Sequence, residues 1–453
     1  MRLKEALRVQ RGDVVAFVGA GGKTSALFRL ARELHEDGWR VLATTTTRIA
    51  REEVKAAPLA VQLTANVTPE MIRQWLTQHG FVFLYGSDNR RKGRIAGLHP
   101  DVIPGLLDTV DSDVILIEAD GARRLSFKVP YDHEPVLPSD TSLVVPVAGI
   151  DALGQPLDEQ HVYNATRIQE RYGFPDGEPL IPPWMAVAIR DSELGLRNIP
   201  ENMRIVPLLN KVPASGLTRT RARRVAQLVL RSERVEAVVM GEMKGKAEPV
   251  HEVQRRVAAV VLAAGLSTRM GRSKALLPWD NNRTVIEAVV SRLITARIQD
   301  VVVVTGFQAE GVAQALLRQP VVTVHNPRYA EGEMLSSLQA GLNALPASVS
   351  ACLVVLGDQP TLDPRVILKV LAAYSEGKGE IVVPEYRGDR GHPILIGRRF
   401  WPEILALESG APRDVIRQHP DVTAHLEVNT DSILRDIDTP EQYYLERRRA
   451  GLR

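Results

Sequence analysis

The sequence predicts an α/β protein that contains two domains. Apolar runs with the length of strands alternate with segments of helical periodicity, and this alternation begins again near residue 257. Each series opens with an apolar strand and a glycine-rich loop, "VGAGGKTS" at 18–25 and "LAAGLSTRMGRSK" at 262–274. Strands that are apolar on both faces are typical of a parallel sheet with helices on both sides. A chain of 453 residues is also too long for one ordinary core.

Composition and charge favour a soluble enzyme over a nucleic-acid or membrane protein. Hydrophobic residues make up 44% of the chain, charged residues 25%, and the formal net charge is +3. The basic run at 447–449 is more typical of a solvated helix end than of a nucleic-acid patch. No apolar stretch reaches the roughly 18 residues of a membrane span, and no signal-peptide pattern is present. We therefore expect a cytoplasmic protein without nucleic-acid or membrane partners.

The first domain is predicted at 1–245. Its first strand covers 14–18, and apolar positions 27, 30, 31 and 34 then share one face of a helix that ends at Gly38. Further strands are predicted at 41–43 and 114–117. The segment 246–256 is charged, contains a proline and lacks periodicity, so we interpret it as a linker.

The second domain is predicted at 257–453. Thr284 and Glu287 have the spacing of a capping box, which predicts the start of a helix. Thr439 followed by Pro440 predicts the start of another helix near the C-terminus. The apolar runs predict strands at 257–262, 300–306 and 352–356.

Two motifs of the second domain suit phosphate and metal binding. Gly265 and Gly271 allow a close backbone approach to a polyphosphate, and Arg269 and Lys274 add positive charge. Asp358 follows an apolar strand, at the sheet edge where α/β folds bind ligands, and a carboxylate suits Mg²⁺. Each motif also has a structural interpretation, namely a tight turn with solvated cations and a turn-forming aspartate.

A third motif adds two carboxylates near the C-terminus. Asp436 and Asp438 are two residues apart and would share one face of a short strand. The spacing therefore leaves open which of them approaches Asp358. Attack by a phosphate on a nucleotide needs charge neutralisation and in-line positioning more than a protein nucleophile, so this set of residues is chemically sufficient.

These motifs resemble those of a known family. The segment "LAAGLSTRMGRSKALLPW" at 262–279 is similar to the nucleotide-binding signature of the molybdenum cofactor cytidylyltransferases and their nucleotidyltransferase relatives. "GDQP" at 357–360 resembles the metal-binding motif of that family, and "RGHP" at 390–393 and "DIDTPEQY" at 436–443 resemble its later motifs in the same order. The resemblance covers about 257 to the C-terminus and implies a Rossmann-like nucleotidyltransferase sandwich.

The resemblance also implies roles for particular residues. Arg269, Lys274 and Asp358 are the catalytic candidates, and Ala263-Ala264 favours CTP, because guanylyl-transferring relatives tend to have Gly-Gly there. For His392 a solvated or strand-capping role is the alternative. The resemblance implies that the nucleobase and ribose contact Leu262, Ala263, Ala264 and Gly265, and that the triphosphate contacts Arg269 and Lys274. It also implies that Mg²⁺ is held by Asp358 and Asp438, and that the second substrate contacts Asn326, Ser336, Ser337 and His392.

The N-terminal loop is a shortened version of a P-loop. The full pattern requires glycine at position 17, where the sequence has Phe17. Backbone amides, a lysine and a hydroxyl are nevertheless present, and Glu118 or Asp120 is a candidate for the carboxylate that completes such a site. The predicted nucleotide-binding residues are Gly21, Gly22, Lys23 and Thr24. A domain that only docks a partner is the alternative.

This half resembles the YqeC-like accessory proteins of selenium-dependent molybdenum hydroxylase systems. The similar segments are "GAGGKTS", "ATTTTRI", "EADGARRLSFKVPYDHEPVLP" and "VAGIDALGQPL", and the resemblance covers about 14–240. It implies a P-loop-like α/β domain that binds ATP or GTP and serves cofactor maturation, with a molybdenum hydroxylase as client enzyme.

Three functional hypotheses follow. The first is a Mg²⁺-dependent transferase that joins CMP from CTP to molybdopterin and releases pyrophosphate. The second is a nucleotidyltransferase acting on another phosphorylated small molecule. The third is a carrier that inserts the finished cofactor without catalysis, against which the intact "GDQP" motif argues.

Overall fold

The computed structural model describes residues 1–89, 93–245, 248–267, 270, 273–330 and 334–452. The chain divides into two units, Met1–Gln254 and Arg255–Arg453. Each unit has one main sheet with apolar side chains packed on both of its faces. The predicted α/β class with two sheet-containing domains is therefore confirmed. No helix among the described residues is both long enough and apolar enough to cross a membrane.

The N-terminal unit alternates strands and helices. Its strands are β1 (Val14–Gly19), β2 (Val41–Thr45), β3 (Arg48–Ala50), β4 (Leu59–Gln62), β5 (Phe81–Tyr85), β6 (Ser87–Asn89), β7 (Arg94–Ala96), β8 (Val114–Glu118), β9 (Phe127–Lys128), β10 (Leu143–Gly149), β11 (Val162–Tyr163), β12 (Arg204–Ile205), β13 (Leu208–Asn210), β14 (Ala237–Gly241) and β15 (Val250–Arg255). Its helices are α1 (Leu3–Leu7), α2 (Lys23–Glu36), α3 (Arg51–Val54), α4 (Pro69–His79), α5 (Leu106–Thr109), α6 (Ala165–Tyr172), α7 (Pro182–Arg190) and α8 (Leu217–Val229).

The main sheet of this unit places β1 at its centre. The strand order is β15-β14-β13-β10-β1-β8-β2-β5-β4, with β12 beside β10. β1 runs parallel to both of its neighbours, β10 and β8. Its residues Val14, Ala16 and Val18 belong to one core, whereas Val15 and Phe17 belong to the core on the opposite face. Because the parallel strands end at one edge, the loops after β1, β2 and β8 meet there.

A small antiparallel sheet lies in the same unit. Its order is β3-β7-β6. Ile49 of β3 is paired with Ile95 of β7, and both side chains are buried in the core. Because side chains alternate along a strand, the residues on either side of these isoleucines point to the opposite face.

The segment predicted as a linker is in part a strand. Residues 250–255 form β15, at the edge of the main sheet beside β14. Val253 is fully buried, and the buried carboxylate of Glu252 accepts hydrogen bonds of 2.8 Å from Nε of Arg223. The linker prediction is wrong here, because these side chains secure a strand in a segment whose charge and lack of periodicity suggested none. Residues 246 and 247 lie outside the described residues.

The C-terminal unit has a second main sheet. Its strands are β16 (Val257–Ala263), β17 (Val301–Thr305), β18 (Val322–His325), β19 (Ala351–Leu356), β20 (Ile381–Tyr386), β21 (Asp389–Arg390), β22 (Ile394–Gly397) and β23 (Thr423–Glu427). Its helices are α9 (Val285–Thr295), α10 (Ala309–Leu316), α11 (Met334–Asn343), α12 (Pro364–Ser375), α13 (Trp401–Ala406), α14 (Pro412–Gln418) and α15 (Pro440–Arg449).

This sheet combines a parallel half with a mixed half. The order is β18-β17-β16-β19-β22-β20-β21, with β23 beside β20. β16 is parallel to β17 and β19, whereas β22 is antiparallel to both β19 and β20. The predicted helix starts are confirmed: Thr284 and Glu287 form the capping box of α9, and Thr439 caps α15 just before Pro440.

Candidate functional site

The glycine-rich turn of the N-terminal unit joins β1 to α2. Gly21 and Gly22 have φ values of 88° and 125°, which residues other than glycine rarely adopt. A Cβ on Gly21 would overlap the backbone of Gly149, so the turn packs directly on the neighbouring strand. The amide of Gly21 donates to the carbonyl of Leu125 at 3.1 Å. Glycine is therefore required both for conformation and for close packing.

Asn210, which the sequence does not single out for this role, holds the turn from β13. Its Nδ2 donates to the carbonyl of Gly21 at 2.8 Å. Its Oδ1 accepts from the amides of Lys211 at 2.8 Å and Met243 at 3.1 Å. The side chain is buried, so these three bonds fix the turn against the end of the sheet.

Lys23 points into the protein and meets both candidate carboxylates. Its Nζ donates to the carbonyl of Gly19 at 2.6 Å and lies 3.1 Å from Asp120 Oδ1 and 3.9 Å from Glu118 Oε1. Burial opposes its charge, but Asp120 and Glu118 outweigh this effect and raise the pKa of Lys23. The hydroxyl of Thr24 donates to Glu118 Oε2 at 2.7 Å. Burial raises the pKa of Glu118.

A second buried lysine extends this network away from the turn. Nζ of Lys128 lies 3.0 Å from Asp120 Oδ2 and 2.9 Å from Glu134 Oε2, and donates to the carbonyl of Gly121 at 2.7 Å. Asp120 is therefore held between two ammonium groups, Lys23 and Lys128. The network fixes the loop that follows β8.

The turn opens onto a large cleft. Gly21, Gly22, Lys23 and Thr24, the four residues predicted to bind a nucleotide, all line it. The cleft has a volume of about 1290 Å³. It lies where the loops after β1, β2 and β8 meet, and Glu118 also lines it. At this edge of the sheet the ammonium group of Lys23 and the hydroxyl of Thr24 are both bonded to carboxylates.

In the C-terminal unit, the loop after β16 packs against the loop after β19. Leu262 and Ala263 end β16, followed by the buried Ala264 and the exposed Gly265. The amide of Gly357 donates to the carbonyl of Leu262 at 3.0 Å, and a Cβ at position 357 would lie 2.8 Å from that oxygen. The predicted base-binding segment is therefore beside the strand that carries Asp358. Arg269 and Gly271 lie outside the described residues.

Lys274 brings two carboxylates together. Its Nζ lies 3.3 Å from Asp358 Oδ2 and 2.5 Å from Asp438 Oδ1. Its amide donates to the hydroxyl of Ser267 at 3.1 Å, which connects it to the glycine-rich loop. Burial, opposed by Lys274 and reinforced by Asp436 and Asp438, raises the pKa of Asp358 to about 6.

Asp436 and Asp438 have different partners. Asp436 Oδ1 accepts from Nε2 of Gln359 at 2.6 Å, and the same nitrogen donates to the carbonyl of Ile433 at 3.1 Å. Asp438 instead faces Lys274. The short strand expected here is absent, since residues 435–438 have no regular secondary structure. The buried Gln359, which the sequence did not single out, thus holds Asp436, whereas Asp438 contacts Lys274.

The residues predicted for the second substrate form two groups. Nδ2 of Asn326 donates to the hydroxyls of Ser336 at 3.0 Å and Ser337 at 3.1 Å, and all three residues are buried. Nδ1 of His392 lies 3.2 Å from the carbonyl oxygen of Val354 in β19. Burial lowers the pKa of His392, which favours its neutral form. The imidazole is thus fixed on the strand that leads to Asp358.

The carboxylates of this unit fit a divalent cation. The ammonium of Lys274 shows that a positive charge is accommodated where Asp358 and Asp438 converge. Among the described residues, no group of three or more histidine, cysteine or acidic side chains is placed to hold a metal. Two carboxylates completed by phosphate oxygens are the usual ligands of Mg²⁺, so the donor set suits an ion that a nucleotide helps to bind.

Family models match both units. Residues 15–166 match the model described as YqeC protein, and residues 259–422 match the MobA-like NTP transferase domain. The C-terminal unit is thus a nucleotidyltransferase domain, with Lys274 and Asp358 in the loops that follow the parallel strands β16 and β19. The chain belongs to the YqeC family in its N-terminal half and to the MobA-like NTP transferase family in its C-terminal half.

Individual relatives support this division. "Uncharacterized protein YqeC" from Escherichia coli (strain K12) is 30% identical over 235 residues, which are 52% of this chain and 89% of that protein. "Molybdenum cofactor cytidylyltransferase" from the same strain is 28% identical over 193 residues, 42% of this chain and 95% of that protein. "Nicotine blue oxidoreductase" from Paenarthrobacter nicotinovorans is 32% identical over 198 residues, again 42% and 95%.

Proposed function

We propose that the C-terminal unit transfers CMP from CTP to the phosphate of a molybdopterin-type acceptor and releases pyrophosphate. The observation that carries the proposal is the convergence of Lys274, Asp358 and Asp438 beside the glycine-rich loop. The similarity to a molybdenum cofactor cytidylyltransferase supports the acceptor and the nucleotide. Ala263 and Ala264, beside the Asp358 loop, support cytidine through the motif resemblance.

The reaction exchanges the group that is joined to the α-phosphorus of the nucleotide by a phosphoanhydride bond. An oxygen of the acceptor phosphate forms a bond to the α-phosphorus of the nucleotide while the bond from that phosphorus to pyrophosphate breaks. The attacking oxygen is already anionic, so the chain supplies no general base. Lys274, together with Arg269, would neutralise the triphosphate and the leaving pyrophosphate.

Asp358 and Asp438 would hold a divalent cation, Mg²⁺ in this proposal. When bound, the ion would supply charge stabilisation to the phosphates that exchange partners. The hydrogen bond from Gln359 to Asp436 supports this choice of ligands, because it gives Asp436 a partner other than Lys274. Lys274 would then be free to leave the carboxylates and contact phosphate oxygens.

Asn326, Ser336, Ser337 and His392 would position the acceptor. The buried hydrogen bonds from Asn326 to both serines support a rigid surface for it. The neutral imidazole of His392, held by Val354, would supply a hydrogen-bonding group without adding charge.

We further propose that the N-terminal unit binds ATP or GTP at Gly21–Thr24 and acts in the maturation of a cytoplasmic molybdenum hydroxylase. The location of these residues in one cleft, with Thr24 and Lys23 beside Glu118, supports nucleotide binding.

The test is pyrophosphate release by the whole chain with Mg²⁺ and molybdenum-loaded molybdopterin, comparing CTP, GTP and ATP. Release that depends on CTP and on the acceptor is expected. Release with CTP and only some other phosphorylated acceptor would replace the substrate in this proposal. Binding of the finished cofactor, without release from any nucleotide, would support a carrier instead.

Asp358→Asn is the decisive variant, with Asp421→Asn as its control. Asp358→Asn should lower pyrophosphate release by roughly 100-fold or more, because a cation ligand worth several kcal/mol is lost. Asp421 is exposed in the same unit, and its substitution should leave the rate unchanged. Full activity in folded Asp358→Asn protein would remove this residue from the proposed site.

A further inference from the structure

Four arginines that the proposed nucleotide site does not use line the cleft of the N-terminal unit. They come from two places, the small sheet and the loop after β8. We call them the arginine wall: Arg48, Arg94, Arg123 and Arg124.

The arginine wall adds four positive charges to the cleft. Within the part of the chain that the structure describes, none of its four guanidinium groups forms a salt bridge, and all four residues are exposed, although Arg123 also lies 5.1 Å from the ring centre of Tyr163. Two other cations of the cleft are paired, since Lys23 meets Asp120 and Lys211 lies 2.8 Å from Asp151 Oδ2. Four glutamates line the same cleft, and two of them, Glu118 and Glu134, are paired with the buried lysines Lys23 and Lys128. Several positive charges on one concave surface raise its electrostatic potential and attract anions.

The small sheet presents two of these arginines by its register. Ile49 and Ile95 face the core, so the opposite face of β3 and β7 is formed by the flanking residues. That face pairs Arg48 with Ala96 and Ala50 with Arg94, and all four of these residues line the cleft. The two alanines leave space above the strands, into which a ligand can fit between the guanidinium groups.

The other two arginines lie at the tip of a strained turn. Arg123 and Arg124 have φ values of 45° and 65°, and the amide of Leu125 donates to the carbonyl of Ala122 at 2.9 Å. Two consecutive positive φ values are normally supplied by glycine or asparagine, so arginine at both positions is strained. The turn is attached to the glycine-rich turn, because Leu125 accepts a hydrogen bond from Gly21. Strain of this kind is typical of functional sites.

The cleft is also larger than one ligand requires. Its volume of about 1290 Å³ exceeds the roughly 300–1,000 Å³ of sites for a single small molecule. Thr46 lines it too, and its hydroxyl is shielded from solvent without a hydrogen-bond partner among the described residues. A second polar ligand therefore has both room and an available hydrogen-bonding group.

We propose that the arginine wall binds a second anionic ligand, a small molecule with a phosphate or diphosphate group, in the same cleft as the nucleotide. Guanidinium groups bind phosphate oxygens through paired hydrogen bonds, which suits four arginines on two sides of a cleft. The ligand would then lie in the cleft that the glycine-rich turn also lines. This assignment rests on the nucleotide binding proposed for the same unit and is independent of the transferase activity proposed for the other unit.

The test uses inorganic pyrophosphate as the probe and titrates it calorimetrically into the whole chain at about 0.15 M salt. A variant with all four arginines changed to glutamine should lose one class of pyrophosphate sites, or bind it roughly tenfold or more weakly. Lys23→Met should keep this binding but lose ATP or GTP. The C-terminal unit is identical in all variants, so any pyrophosphate bound there is a constant background.

Arg32→Gln with Arg221→Gln is the control, because both arginines are exposed in the same unit and neither lines the cleft. An equal loss of binding in this control would mean nonspecific attraction and would overturn the proposal. Unchanged binding in the quadruple variant would also overturn it. So would joint loss of pyrophosphate and nucleotide in both the quadruple and Lys23→Met variants, since the arginines would then belong to the nucleotide site. Thermal unfolding midpoints verify that each variant is folded.

Discussion

Substituting Gly22 by alanine tests how the N-terminal turn is built. At a φ of 125° an alanine is strained by about 1–3 kcal/mol. Its Cβ would also overlap Nδ2 of Asn210, which must then move. If Asn210 moves, its three hydrogen bonds, to Gly21, Lys211 and Met243, are weakened or lost. Each of them contributes about 1 kcal/mol to stability. We therefore expect a loss of about 3–6 kcal/mol in the stability of this unit.

Gly12→Ala separates the two effects. Gly12 has a φ of 92°, but no atom lies within 4 Å of the place that an added Cβ would take, so its substitution introduces strain alone. The assay is hydrogen exchange of the amides of β1, which reports opening of this unit rather than of the other. Gly22→Ala should cost about 2–3 kcal/mol more than Gly12→Ala. Adding Asn210→Ala should then cost less than it does alone. Equal costs for the two glycines, or additive costs for Gly22 and Asn210, would refute this account.

Three further changes have defined outcomes. Glu252→Gln should destabilise the N-terminal unit by about 2–3 kcal/mol in urea unfolding, because Arg223 loses a buried carboxylate. Burial opposes the charge of Glu252, but Arg223 and Arg219 outweigh burial and lower its pKa. The stability that Glu252 contributes is therefore present at neutral pH and is lost as the pH falls through this lowered pKa. A stability difference between wild type and variant that does not change with pH would contradict this. Asp438→Asn should lower pyrophosphate release at limiting Mg²⁺ far more than Asp436→Asn, and equal effects would contradict their separate partners. Thr284→Ala should lower the thermal midpoint through a loss of about 1 kcal/mol of capping, whereas an unchanged midpoint would deny the cap a role.

Local patterns predicted most of the regular structure. The strand at 14–18 was predictable because a continuous apolar run is typical of a strand that is buried on both faces. The helix that begins after Thr284 was predictable because a capping box involves residues only three positions apart. The residues around Lys274 and Asp358 were predictable as a set for a related reason. Parallel strands end at one edge of a sheet, so the loops that follow them meet.

Features fixed by distant residues were not predictable. The different partners of Asp436 and Asp438 involve Gln359, which is separated from Asp436 by 77 positions. The side-chain hydrogen bond to the carbonyl of Gly21 comes from Asn210, which is 189 positions away. Such pairs leave no periodicity and no short motif, and only the folded topology brings them together.

The edge strand β15 determines where the chain can be divided. A fragment that ends at 245 would lose this strand, expose the edge of β14 to intermolecular pairing and remove the partner of Met1, whose carbonyl accepts from the amide of Val250 at 3.2 Å. A fragment of the other unit needs Arg256, which forms a paired contact with Asp300 at 2.7 and 2.9 Å. The peptide bond between residues 255 and 256 is therefore the boundary at which both halves would keep these contacts, and it lies at the far end of the segment, 246–256, that composition indicated as a linker.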